Sequence, residues 1–406
     1  MRRVLHLLSQ RPSLTGSGVT LEQLVRHAGA AGWEQWVVFG TNVADPPADV
    51  GNLPPDRLWP LKFGTPPLDF PIPGMSDVMP YPSTVFSALR EQQLSAYRDS
   101  WRRHLEQVLP RCQPDLVHAH HVWILSAMLK DVAPDLPVVV QCHATGLRQM
   151  ALCPHLARQV CRDSARNDQF TVLHRGHAEA LSCVLGISGQ RIRLVGAGYD
   201  EALFHPGARA PQPNSLLYVG KLSAAKGLPW LLDVVQRLAS RHADLLLHVA
   251  GSGAGPEAAA LLRRIGAMGR LVRYHGHLPQ QTLSELMRRT QICVLPSFYE
   301  GVPLVLAEAL ACGCRLVSTA LPGVLDQLAG PLRSTLELVP LPRLVHTDQP
   351  DPRDLTVFVD ELTAAVDRAL SSPPLDESMV HQALAPFTWQ AVFERVQQCW
   401  LDSLAH

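Results

Sequence analysis

Lysine is scarce in this 406-residue chain. Of its 36 Lys plus Arg residues only four are lysine, namely Lys62, Lys130, Lys221 and Lys226, and two of these lie five residues apart. A surplus of either charge is also missing, since 36 Asp plus Glu balance the cations to a formal net charge of zero. Without a basic excess no global field draws the chain to nucleic acid or to an anionic membrane, so neither is expected as a partner beyond peripheral membrane contact. Arg90 to Arg111 is the stretch where such contact would form, but its arginines are mixed with acids and read as a solvated helix. No apolar run approaches the ~18 residues of a spanning helix. The N-terminal MRRVLHLLSQRPS is interrupted by Ser9, Gln10 and Arg11 after about six apolar residues, so it reads as a first strand and not as a secretory signal. No CxxC pair occurs among the nine cysteines, and Cys312 and Cys314 flank one glycine, which fits no common zinc spacing. Reduced thiols and a cytoplasmic location are expected.

What the chain does have is 47% hydrophobic residues against 18% charged, enough apolar surface to offset the entropy of ordering a core. Short β-rich runs alternate with stretches of helical period, the pattern of α/β architecture with parallel sheets. One series of strands is expected at Val4–Leu8, Gln35–Phe39, Leu116–His120, Val138–Cys142 and Phe170–Leu173, with helices at Leu21–Ala31 and Val122–Lys130. A second series is expected at Leu216–Val219, Leu245–Ala250, Val272–His275, Ile292–Pro296 and Leu316–Thr319. Two βαβ series imply two doubly wound domains. Asp200 to Pro213, with three prolines, reads as the linker between them. Pro46 to Pro82 holds 11 of the 34 prolines together with Trp59, Phe63, Phe70 and Tyr81, which predicts an ordered functional loop.

The richest segment is Ser297 to Gly313, SFYEGVPLVLAEALACG. Glu300 sits on a loop after a strand, Pro303 favours the first turn of a helix, and Glu308 lies about one and a half turns into it. Two carboxylates placed this way, beside free backbone N–H groups at a helix N-terminus, suit a polyhydroxylated ligand. A second segment, LYVGKLSAAKG, puts Lys221 and Lys226 at the C-terminal edge of a strand, where open α/β sheets bind ligands. A third, LHVAGSGAGPE, is a strand running into a glycine turn with Gly251 and Gly253, a weak phosphate-loop signal that close strand-to-helix packing explains equally well. TGSGV, with Gly16 and Gly18, follows the first strand and precedes a helix. His143 ends PVVVQCH and precedes a flexible ATG. LVHAHH carries His118, His120 and His121, but strand alternation puts His121 on the opposite face, so three-point zinc ligation is awkward.

The E-x7-E arrangement in PSFYEGVPLVLAEALACG resembles the signature of family 4 of the retaining GT-B glycosyltransferases (glycosyl transferases group 1). The lysine pair is similar to that family's G-R-x-x-x-x-K-G motif, with Lys221 where the arginine usually stands. The resemblance runs from residue 1 to about 400 and departs at VGAGYD, Val195 to Asp200, where relatives often carry a proline-asparagine-glycine turn. It implies an α/β GT-B fold of two doubly wound, Rossmann-like domains facing across a cleft: residues 1–205 for the acceptor, residues 206–385 for the nucleotide sugar, and a helix at 386–406 crossing back to the first domain.

It further implies a retaining transfer of a hexose or N-acetylhexosamine from a nucleotide diphosphate donor, UDP by default, to a small-molecule, glycan or lipid-linked acceptor. Lys221 and Lys226 would grip the diphosphate. Glu300, with the backbone of Gly301, Val302, Pro303 and Leu304, would hold the donor sugar, and Glu308 the ribose. Gly251 and Gly253 match the family's glycine turn, His277 and Leu278 the place where the base is read, and Gly16 and Gly18 a glycine pair against the phosphates. His143 would face the reacting carbon. No metal or other cofactor is implied. Met75, Ser76, Asp77, Tyr81, His120 and Arg148 are the acceptor candidates. A non-catalytic sugar-binding relative and a GT-B epimerase remain as alternatives. A NAD-dependent oxidoreductase is disfavoured, because no acidic residue ends the second strand to hold an adenine ribose.

Overall fold

The computed structural model describes residues 2–12, 15–77, 79–300, 302–328, 330, 335–373 and 375–405, with the side chains of Gln327 and Glu377 outside that description. Leu116–His120 and Val138–Cys142 are buried along their whole length, as strands covered on both faces of a parallel sheet must be. The sheet of the first unit has seven strands in the order Leu58–Phe63, Glu34–Asn42, Arg3–Leu8, Leu116–His120, Val138–Cys142, Gln169–Val172, Ile192–Leu194. Every neighbouring pair in it is parallel. In the second unit the order is Val272–Gly276, Leu246–Ala250, Gln212–Val219, Thr290–Leu295, Arg315–Thr319, Leu336–Val339, again all parallel. Both are the doubly wound α/β sheets expected. In each, the order reverses beside the first strand of the unit, and ligands of such sheets bind outside the strand ends at that reversal.

The chain passes from one unit to the other at 197/198 and returns at 388/389: Met1–Ala197 and Trp389–His406 form the first unit, Gly198–Thr388 the second. The first crossing falls earlier than the expected 205/206 because Tyr199 and Phe204 pack into the core of the second unit. The Tyr199 N–H donates to the Phe387 carbonyl at 2.9 Å, which ties the two ends of that unit together. The helix Trp389–Leu404 completes the first unit, burying Val392, Phe393, Val396 and Trp400. Trp400 meets Trp33 edge to face at 5.0 Å, and burying a side chain of this size contributes about 2–3 kcal/mol.

The proline-rich segment is ordered and contributes to the core. Leu58–Phe63 pairs with Glu34–Asn42, while Phe63, Phe70, Met75 and Tyr81 pack with Tyr97 and Trp101 of the helix Glu91–Cys112. All nine cysteines are free, and seven are buried. Among the described residues no helix is long and apolar enough to cross a membrane.

Candidate functional site

In the second unit the reversal lies between Gln212–Val219 and Thr290–Leu295. The loops that leave these two strands carry Lys221 and Lys226 on one side and Glu300 on the other, so the sheet order brings together residues about 75 positions apart in sequence. Lys226 Nζ lies 2.6 Å from Glu300 Oε1 and donates to the Tyr299 carbonyl at 3.3 Å. The loops also join through backbone, since the Phe298 N–H donates to the Ala225 carbonyl at 3.0 Å. Gly227 has φ +73°, and a Cβ there would stand 2.0 Å from the Pro296 carbonyl oxygen. Only glycine lets the two loops approach this closely.

The glycine turn after Leu246–Ala250 locks onto the same lysine loop. Gly251 has φ +138°, and a Cβ on it would fall 1.9 Å from the Gly220 oxygen; one on Gly253 would meet the Leu222 oxygen at 3.0 Å. The Leu222 N–H donates to the Ser252 carbonyl at 3.1 Å. Both glycines are thus required for close packing of the turn on the lysine loop. His277 is exposed and Leu278 half-buried beyond the neighbouring edge strand. His275 is paired instead with His248, Nε2 to Nδ1 at 2.9 Å.

Pro303 caps the helix Leu304–Ala311, with Val302 and Leu304 half-buried beside it. Gly301 lies outside the described residues. Glu308 is half-buried on this helix, and its carboxyl is pushed up to about 7, first by loss of water and then by the charge of Asp200. At neutral pH this group is poised between acceptor and donor forms.

In the first unit the reversal lies between Arg3–Leu8 and Leu116–His120. Gly16, exposed, and Gly18, buried, open the helix Gly16–Ala30 behind the first of these strands, and Thr15 Oγ1 caps it by accepting from the Gly18 N–H at 3.2 Å. His143 follows Val138–Cys142 and is buried; burial lowers it to about 4, so it is neutral at pH 7. His120 Nδ1 stands 3.4 Å from His143 Nε2. The expected flexible ATG is instead the first turn of the helix Ala144–Leu152, because Gly146 packs its backbone against Val122, where a Cβ would meet the carbonyl oxygen at 2.9 Å.

His121, at φ +74°, turns away from His118 and His120, and its Nδ1 meets Thr145 Oγ1 at 3.1 Å. Its place is taken by His6, which lies opposite His118 in the parallel register. The ring nitrogens of His6, His118 and His120 come within 4.8 Å of one another. This trio could hold a metal ion if drawn in to the ~3.3 Å that tetrahedral zinc requires. His6 Nε2 donates to Gln35 Oε1 at 3.1 Å, a sense fixed by Gln35 Nε2 donating to the Val25 carbonyl. Nothing in the sequence marked His6, because only the strand register brings it beside His118.

The acceptor candidates separate. Met75 and Tyr81 are buried and pack in the core of the first unit. The Met75 carbonyl accepts from Gln149 Nε2 at 3.2 Å. Ser76 is half-buried and Asp77 exposed. Arg148 already pairs with Asp77, Nη2 to Oδ2 at 2.8 Å, so an acidic ligand group at this arginine would have to displace a resident carboxylate.

Two family models match the chain, Glycosyltransferase Family 4 over residues 14–203 and Glycosyl transferases group 1 over residues 213–337. A curated relative, glycogen synthase of Mycobacterium tuberculosis, is 31% identical over 222 residues, covering 52% of this chain and 53% of that protein. The chain thus spans about half the length of the curated relatives it matches. Among solved structures, sucrose-phosphate synthase from Thermosynechococcus elongatus superposes with a TM-score of 0.74 at 19% identity, covering 100% of both chains. HepE of Anabaena, solved with UDP, gives 0.67 at 14% identity, covering 99% of this chain and 100% of that one.

Proposed function

This chain belongs to glycosyltransferase family 4 and has the GT-B fold, and we propose that it transfers a hexose or N-acetylhexosamine from a UDP-sugar, with retention, to an acceptor held by the first unit. The observation that carries this reading is the meeting of Lys226 and Glu300 at 2.6 Å at the sheet reversal of the second unit. A cation and a carboxylate in contact there match a ligand that joins an anionic diphosphate to a polyhydroxylated sugar. That HepE was solved with UDP supports the choice of nucleotide.

Lys221 and Lys226 hold the diphosphate and neutralise the charge that grows on it as the bond from the anomeric carbon to the phosphate oxygen breaks. Glu300 accepts from hydroxyls of the donor sugar and Glu308 from the ribose. Neutral His143 flanks the anomeric carbon and offers a ring nitrogen to a hydroxyl without adding charge. The acceptor oxygen bonds to that carbon on the face the phosphate leaves. The acceptor's proton passes to the departing phosphate, which carries off the electron pair of the broken bond. Lysine charge in place of a metal makes the transfer independent of added divalent ions, and nine free thiols fit a reducing cytoplasm.

The experiment is a thermal-shift panel of UDP-, GDP-, ADP- and CMP-sugars, followed by nucleotide release with candidate acceptors in the presence of EDTA. A UDP-sugar is expected to raise the melting temperature of the wild type and not of Lys226→Ala. Equal shifts for both proteins would overturn the donor-site assignment.

A further inference from the structure

The lysine loop contains a weak point that a residue outside it repairs. Lys226 ends a single 3-10 turn, Ala224–Lys226, whose first N–H has no partner within the turn. Ser223, in the capping position, makes no side-chain cap bond. The missing bond comes from 33 residues further on, where Glu257 Oε1 accepts from the Ala224 N–H at 2.6 Å. Glu257 lies in the first turn of the helix Gly255–Ala267, where its negative charge is favoured by the helix N-terminus.

We propose that Glu257 is a positioning residue of the donor site: it caps the turn that aims Lys226 and so sets the geometry of the diphosphate clamp. The inference rests on the donor-site reading above. A carboxylate beside a diphosphate cradle would ordinarily repel the ligand, and committing that charge to a backbone N–H makes its presence useful. The rest of the loop is tied down independently. Tyr218 Oη donates to the Lys221 carbonyl at 2.6 Å, Leu222 is bound to Ser252, and the Gly227 N–H closes the turn on the Ala224 carbonyl at 2.8 Å. Removing Glu257 therefore releases the Lys226 end without unfolding the loop, and the exposure of Glu257 spares the core.

The test compares Glu257→Ala, Glu257→Gln and Lys226→Ala in the full chain, by calorimetric titration with UDP and by melting temperature. Glu257→Ala is expected to weaken UDP binding about 10–150-fold, the range of one lost charge-assisted hydrogen bond, with the melting temperature within about 2 °C of wild type. Glu257→Gln keeps an acceptor oxygen and should recover most of the affinity. If both substitutions tighten UDP, the carboxylate acts by repulsion and the proposal fails. It also fails if Glu257→Ala lowers the melting temperature while UDP affinity stays at the wild-type value. Should Lys226→Ala lose UDP while Glu257→Ala does not, this inference alone falls. Should Lys226→Ala keep full affinity, the donor-site reading falls with it.

Discussion

At the scale of single residues, Glu308 gives the sharpest handle. Its folded-state pKa, about 7, lies above the 4.5 of an unperturbed glutamate. Protonation therefore favours the folded state between these values, and that contribution is lost as pH rises through 7. On the proposed donor site ligand binding has the opposite sign, because the ionised carboxylate is the better acceptor for ribose hydroxyls. Affinity for UDP-glucose should rise about 10-fold between pH 6 and pH 8, in step with the ionised fraction, and Glu308→Gln should flatten that dependence. Calorimetric titration across the range checks it, and an unchanged slope in the variant would assign the effect elsewhere. The E-x7-E spacing of Glu300 and Glu308 was legible, whereas the burial of Glu308 and the nearby charge of Asp200 were not, since both arise only through the fold. The burial of Met75 and Tyr81 was not legible either, since it depends on packing against the helix Glu91–Cys112.

At the scale of elements, the strands buried on both faces were the most readable. Leu116–His120 and Val138–Cys142 match the expected bounds even though His118, His120 and Gln141 are polar, because the β-branched and apolar residues around them carry the strand pattern. Leu58–Phe63 was not read, since Pro60 and the surrounding prolines mask it, and its edge position tolerates the lost N–H. The expected helix Val122–Lys130 is two short helices, Ile124–Ala127 and Leu129–Val132, and no residue of the run marks the break. The glycine turn GSGAG was visible in the sequence, but its contact with the Gly220 backbone depends on a neighbouring strand. This leads to a paired prediction. Gly251→Ala meets both a left-handed φ and a carbonyl at 1.9 Å, whereas Gly255→Ala meets φ +80° and nothing within 4 Å. The first should cost about 3 kcal/mol or more and the second about 1–2 kcal/mol in denaturant unfolding. Equal costs would mean that the loop retreats freely from the strand.

At the scale of the whole molecule, the buried histidines govern the response to acid. His6 and His143 are lowered to about 4 by burial, so the unfolded chain takes up protons near pH 6.5 that the folded chain refuses. Stability must fall as pH drops from about 6.5 toward 4, by about 1 kcal/mol per group between pH 6.5 and 5.5. For the first unit this corresponds to a fall in melting temperature of roughly 4–8 °C, with His143→Asn reducing it; a flat profile would contradict the neutral assignment. The two-unit organisation was legible from the two βαβ series, whereas the packing of Tyr199 and Phe204 into the second core was not. The return of the helix Trp389–Leu404 to the first unit has a consequence for biosynthesis. The second unit is an insertion within the first, so its whole sequence leaves the ribosome before the first unit receives its last packing element. The inserted unit can close while its host still exposes the surface that Trp400 will cover. Until that helix has been made, the unfinished face depends on chaperones or on speed.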